Sequence, residues 1–161
     1  MQCSTLTEQA RHWAKVQPET IWMRDLSQKG STDYTWGAAV AEIDRVAAWL
    51  EAEFAHGQHM ALLSRNRAHW IMADMGIIHS GNVTVPLFTT HAQATAEYIL
   101  DFTDTQVLFL GETENWEGVK AVLPESCLIV TLPGADCDLP HTKWEQLVAE
   151  APSDAPAYEP L

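Results

Sequence analysis

The spacing of apolar residues changes several times along this chain, and each change marks an element. From Trp36 to Phe54 they fall at Trp36, Ala39, Val40, Ile43, Val46, Ala47, Leu50 and Phe54. That is a 3.6-residue stripe and predicts an amphipathic helix, with Thr35 placed to cap it and Gly57 just past its end. From Gly57 to Phe88 the pattern is strand, helix, strand. An apolar run, Met60 to Leu63, precedes the polar turn Ser64-Arg65-Asn66-Arg67; a helical pattern then runs to Ser80, Gly81 stops it, and a second apolar run spans Val83 to Leu87. Two short buried-type strands flanking a helix form a β-α-β unit, expected in the middle of a parallel sheet.

Before this unit, residues 5–16 predict a short helix with Leu6, Ala10, Trp13 and Val16 on one face and Thr5 or Thr7 as N-cap. Glu19 to Arg24 and Thr32 to Thr35 read as a hairpin around the turn Gln28-Lys29-Gly30-Ser31. After Phe88 the alternation continues. A helix runs from Thr90 or Ala92 to Phe102, a strand from Gln106 to Leu110, a short helix from Asn115 to Val122 and a strand from Cys127 to Thr131; a last helix spans Thr142 to Ala149. The fold class is therefore α/β: an open, mainly parallel sheet with flanking helices in Rossmann-like or flavodoxin-like layers, preceded by an N-terminal helix and β-hairpin. We divide the chain into residues 1–35 (helix and hairpin), 36–150 (the α/β subdomain) and a Pro-, Ala- and acid-rich stretch, 151–161, that reads as a linker.

Composition narrows the function classes. The formal charge of −13 is uneven: residues 1–80 carry seven Lys/Arg against nine Asp/Glu, residues 81–161 two against thirteen. Such a surface repels phosphate backbones and anionic lipid, so nucleic acid is not an expected partner. No apolar run approaches the roughly 18 residues of a transmembrane segment, and residues 1–20 lack a secretory pattern. Cys3, Cys127 and Cys137 are an odd number without metal-type pairing, which points to free thiols and a cytoplasmic setting.

Nucleotide chemistry in an α/β sheet calls for backbone N–H groups close to phosphate oxygens, usually in a glycine-rich loop. The glycines here are scattered, and the Ser64–Arg67 turn has none. Asn66 reads as the N-cap of the following helix, although two neighbouring arginines offer an anion a partner. Seven histidines invite a metal reading, but His56 and His59 stand beside Gly57 without a second pair, and His69 and His79 are out of alignment on their helix. His79-Ser80 lacks the surroundings of a hydrolase nucleophile. Asp74, on an otherwise apolar face, is expected as a buried structural acceptor, and Gly76 as a point of close approach between helix and sheet.

One long stretch carries a resemblance. Tyr34-Thr35-Trp36, Val46, Leu50, Ala61 to Arg67, Trp70, Ala73-Asp74, Gly81 to Phe88, Tyr98-Ile99-Leu100 and Val107-Leu108-Phe109 resemble the N-terminal part of the AMP-forming acyl-CoA synthetases. These belong to the adenylate-forming superfamily, with luciferase and the peptide-synthetase adenylation domains. Within it, Asn66, Trp70 and Gly81 to Phe88 look most like the long-chain fatty acid members. The resemblance is clear from about Thr32 to Leu110 and faint elsewhere.

It implies an ATP-dependent acid–thiol ligase as parent. A fatty acid carboxylate attacks the α-phosphate of ATP to give an acyl-adenylate and pyrophosphate, with magnesium neutralising the phosphates; the CoA thiol then displaces AMP. The family's phosphate loop follows a linker like 151–161, so it is expected beyond Leu161. None of the family's catalytic, cofactor-binding or metal-binding residues can be placed on this sequence, and the implied ATP, magnesium and CoA belong to the parent. His59 departs from the family, which usually has an acid there. The alternative is a stand-alone flavodoxin-like binding module without catalysis.

Overall fold

The computed structural model describes residues 5–27 and 30–152. The chain opens with α1, Leu6–Val16, closed by a capping box: the Glu8 N–H donates to Thr5 Oγ1, and the Thr5 N–H to the Glu8 carboxylate. Of the expected apolar stripe, α1 buries only Ala10. Ala10 and Thr7 are buried, whereas Leu6 and Val16 are exposed. Arg11 donates to Asp44 Oδ1 at 3.0 and 3.2 Å, so the helix is rotated toward its small residues and toward that carboxylate.

The hairpin is β1, Ile21–Ser27, antiparallel to β2, Gly30–Thr35; Gln28 and Lys29 of its predicted turn lie outside the described residues. Trp22 stacks on Trp36 with ring centroids 4.2 Å apart and fixes the hairpin to the start of α2, Trp36–Glu53. Thr35 caps α2, its Oγ1 accepting from the Ala38 N–H at 3.3 Å.

The parallel sheet is built from β3 (His59–Leu63), β4 (Val83–Leu87), β5 (Val107–Leu110), β6 (Leu128–Thr131) and β7 (Thr142–Lys143), in the order β4-β3-β5-β6-β7. Between them run α3 (Ala68–His79), α4 (Gln93–Thr103) and α5 (Trp116–Lys120); α6 (Trp144–Glu150) follows β7. The strands read as continuous apolar runs because both sheet faces are covered. Met60, Leu62, Val107 and Phe109 face a core shared with α2, α3 and α6, whereas Ala61, Leu63, Leu108 and Leu110 face one shared with α4 and α5.

Three expectations are corrected here. The β3-α3-β4 unit is not central, because β4 lies on the edge of the sheet. The Val83 N–H donates to Gln58 O at 2.8 Å, so residues 83, 85 and 87 face β3 and Pro86, which has no N–H, faces the open side. Gly76 admits a neighbouring helix rather than the sheet: a Cβ there would lie 3.0 Å from Val46 Cγ1 of α2. And Thr142 and Lys143, which the apolar pattern places in the last helix, form β7, a strand too short to show any periodicity; the helix starts at Trp144.

Candidate functional site

In an open parallel sheet, ligands bind outside the carboxyl ends of the strands, where successive crossovers leave in opposite directions. Here β3 connects to β4 on one side and β4 then crosses to β5 on the other, which puts that point between β3 and β5. The turns facing it are residues 64–67 and 111–115.

Both turns are closed on each other. The Arg65 N–H donates to Glu112 O and the Gly111 N–H to Leu63 O, each at 2.8 Å. A Cβ on Gly111 would lie 2.0 Å from Ser64 Oγ and 2.4 Å from its Cβ, so only glycine permits this approach. Ser64 is buried, its hydroxyl donating to Arg65 O at 2.8 Å. The Arg65 guanidinium spans the mouth, donating to Glu112 Oε1 at 3.0 Å and from Nε to Glu114 Oε1 at 2.9 Å, with a second, shorter contact to Glu114. Arg65, followed by the Thr89 hydroxyl, holds the Glu114 carboxyl below the usual carboxylate range. Two amides that a phosphate would need are thus already used within the chain.

The second anion candidate, the N-terminus of α3, is also filled internally. Arg67, not Asn66, is the N-cap, and its side chain makes no cap bond. The acceptor is Asp25 of the hairpin, whose Oδ1 takes the Ala68 N–H at 2.7 Å; Arg67 Nε stands 3.9 Å from its other oxygen. An open cavity of about 610 Å³ lies over this junction, bordered by Arg24, Asp25, Asn66, Arg67 and Trp70. Arg24 in turn is paired with Asp33. Sequence reasoning missed Asp25 because its partner is 43 residues away, and no local pattern signals such a bond.

The histidines go to separate partners. His69, buried in α3, has Nε2 3.6 Å from Glu42 Oε2, and the same oxygen accepts from Trp144 Nε1 at 2.6 Å. His79, also buried, has Nδ1 3.3 Å from Asp44 Oδ1, at ion-pair distance but without hydrogen-bond alignment. Burial acts to raise both carboxyls. It is outweighed at Glu42 by His69 and Trp144, and at Asp44 by His79 and Arg11, so both titrate below their usual range. These side chains bind α2 to α1, α3 and α6.

His56 stands 3.6 Å from Glu51. Among the described residues no group of three or more His, Cys, Asp or Glu side chains could hold a metal ion. The Ser80 hydroxyl does not face His79: it donates to Ile77 O at 2.8 Å and accepts from Asn82 Nδ2 at 2.9 Å. Asp74 is half-buried rather than buried.

A second cavity, about 630 Å³, lies elsewhere, at the amino ends of β6 and β7 beside Trp49, Leu123, Cys127, Leu128, Leu139 and Thr142. Burial pushes the Cys127 thiol up to about 12, which keeps it protonated and unreactive. The position of this cavity argues against a reaction site, since the strands' carboxyl ends face away from it. Cys3 lies outside the described residues.

The family model for "AMP-binding enzyme" matches residues 10–159. The chain belongs to that family. The match extends well beyond the stretch whose resemblance is plain by eye. Among curated relatives, the chain is 30% identical over 125 residues to the 3-[(3aS,4S,7aS)-7a-methyl-1,5-dioxo-octahydro-1H-inden-4-yl]propanoyl:CoA ligase of Rhodococcus jostii (strain RHA1), covering 71% of this chain and 24% of the relative. It is 28% identical over 102 residues to the nonribosomal peptide synthetase gloA of Glarea lozoyensis, covering 58% of this chain and 1% of the relative. The chain therefore spans a quarter or less of the curated relatives it matches. The acetoacetyl-CoA synthetase from Streptomyces lividans superposes with a TM-score of 0.81 at 18% identity, over 95% of this chain and 26% of that one. A likeness at that identity shows the fold: a parallel five-strand sheet with flanking helices, an N-terminal helix and a hairpin. Among the described residues no helix is long and apolar enough to cross a membrane.

Proposed function

We propose that this chain is the N-terminal part of a cytoplasmic AMP-forming acyl-CoA ligase acting on a fatty acid, and that alone it is inactive. The family match over residues 10–159 supports the ligase parent. The inactivity is supported by the lack of a glycine-rich phosphate-binding motif in residues 1–161, and the crevice between β3 and β5 is closed by the amides of Arg65 and Gly111 on Glu112 and Leu63. The donor set fits neither magnesium nor a triphosphate, so no step of the reaction is assigned to these residues. ATP, magnesium and CoA belong to the parent, as does the fatty acid. In this reading residues 1–35 and 36–150 are scaffold, and 151–161 lead toward the phosphate loop. ATP–pyrophosphate exchange on the 161-residue chain with a fatty acid is expected to give no turnover; measurable exchange would refute inactivity. Gene sequence beyond Leu161 separates this reading from a stand-alone binding module: a Ser/Thr/Gly-rich loop with a lysine supports the ligase, a stop codon the module.

In this reading the isolated chain self-associates through uncovered sheet edges and apolar faces: β4 lies on the edge of the parallel sheet, and Leu26 and Ile21 of the hairpin are 82% and 46% exposed. Light scattering should give a mass above one chain that rises with concentration; a constant single-chain mass would refute it.

A further inference from the structure

Helix α4 buries Ala96 and Leu100 and turns a second face to solvent. Ala94, Tyr98 and Phe102 recur at four-residue spacing on that face, all exposed, so they form one ridge. Tyr98 is 67% and Phe102 77% exposed, with ring centroids 5.8 Å apart and planes inclined by 16°. Glu97 and Asp101 form a second exposed ridge beside the first. Neither carboxylate is ion-paired among the described residues, and α4 contains no Lys or Arg. Scattered exposed apolar residues are ordinary. A stacked aromatic pair aligned with an unpaired acidic ridge is a more specific arrangement, an apolar stripe flanked by negative charge.

The charge selects the occupant. A second copy would set Glu97 and Asp101 against an equally acidic ridge, on a chain whose net charge is −13, and like charges face to face oppose docking. A basic helix gains where a copy loses. We propose that this face of α4 docks a basic amphipathic helix of a partner protein, its apolar stripe over Tyr98 and Phe102 and its lysines or arginines against Glu97 and Asp101. A cation beside Tyr98 is also favoured by the ring face.

The test uses the 161-residue chain and three fluorescent synthetic peptides, read by anisotropy at physiological salt. The first is an amphipathic Leu/Lys helix, the second the same composition scrambled to remove the stripe, and the third has Glu in place of Lys. The first should bind, and the other two at least about tenfold more weakly. Tyr98→Ser/Phe102→Ser and Glu97→Gln/Asp101→Asn should each weaken the first by about tenfold or more, with circular dichroism and melting temperature unchanged because all four side chains are exposed. Equal binding of the scrambled peptide, or unchanged binding by both variants, overturns the proposal. So does a chain dimer in sedimentation that Tyr98→Ser/Phe102→Ser abolishes, which would make the occupant a second copy.

Discussion

The two faces of the sheet are held in different ways. On the α2–α3 side, helices distant in sequence are joined by partly buried polar contacts: Glu42 to His69 and Trp144, Asp44 to His79 and Arg11, and Arg45 Nη1 to Ala151 O at 2.7 Å. On the α4–α5 side the core is apolar, polar contacts such as Thr103 with Thr105 and Asn115 Nδ2 with His91 O sit at the helix ends, and the ion pair of Lys120 with Asp138 lies at the surface. A buried polar pair is costly unless every partner is in place, so the first face is specific and intolerant of single losses. The second relies on non-directional burial and leaves α4 open to solvent. Order on one face and availability on the other follow from where the polar partners were placed.

Trp144→Ala should break the first face most. Trp144 is 1% exposed and its N–H satisfies Glu42, so a loss of about 3–5 kcal/mol is expected in urea unfolding. A loss under about 1 kcal/mol would show that α6 is a passive cover.

Acid should act next, and mainly on the same face. Glu42 and Asp44 have folded pKa values below their unfolded ones. Their contribution is therefore present above the unfolded carboxyl range, near pH ~4, and is lost as pH falls through the lowered folded values. Urea midpoints measured downward from neutral pH should fall in that window, and Glu42→Gln/Asp44→Asn should flatten the dependence. Added salt should leave this contribution largely intact, because both carboxylates are partly buried; an equal loss in salt would place them with the surface pairs.

Asp25→Ala removes the remote cap of α3 and should cost about 1–2 kcal/mol, whereas Asn66→Ala should cost under about 0.5 kcal/mol. The reverse ranking would restore the local cap. A substitution at the end of α4 tests the second face. Asp104, the C-cap of α4, is left-handed at φ 48°, and its carboxylate sits at the negative end of the helix. Asp104→Gly removes both penalties and should stabilise by about 0.5–1 kcal/mol, visible as a raised melting temperature.

Most elements were legible because their signals are local. Met60 to Leu63 and Val107 to Leu110 are continuous apolar runs of strand length, and Thr5, Thr35 and Gly81 sit where caps and stops are needed. Of the α1 stripe Leu6, Ala10, Trp13 and Val16, only Ala10 is buried, because the docking is directed by Arg11 reaching Asp44. Asn66 is a good cap by type, but Asp25 reaches the α3 amide first. Nothing local indicated that Arg65 would close the crevice between β3 and β5 on Glu112 and Glu114.

By itself the sequence determined the alternation of strand and helix, the two-sided burial of the strands and the family. These depend on period, run length and short-range sterics, which neighbouring residues carry between them. Only the tertiary structure decided which strand forms the edge, which helix Gly76 admits, which carboxylate caps α3 and which partner each buried histidine meets. Those outcomes depend on groups tens of residues apart arriving together, and on the cost of burying a charge that arrives alone.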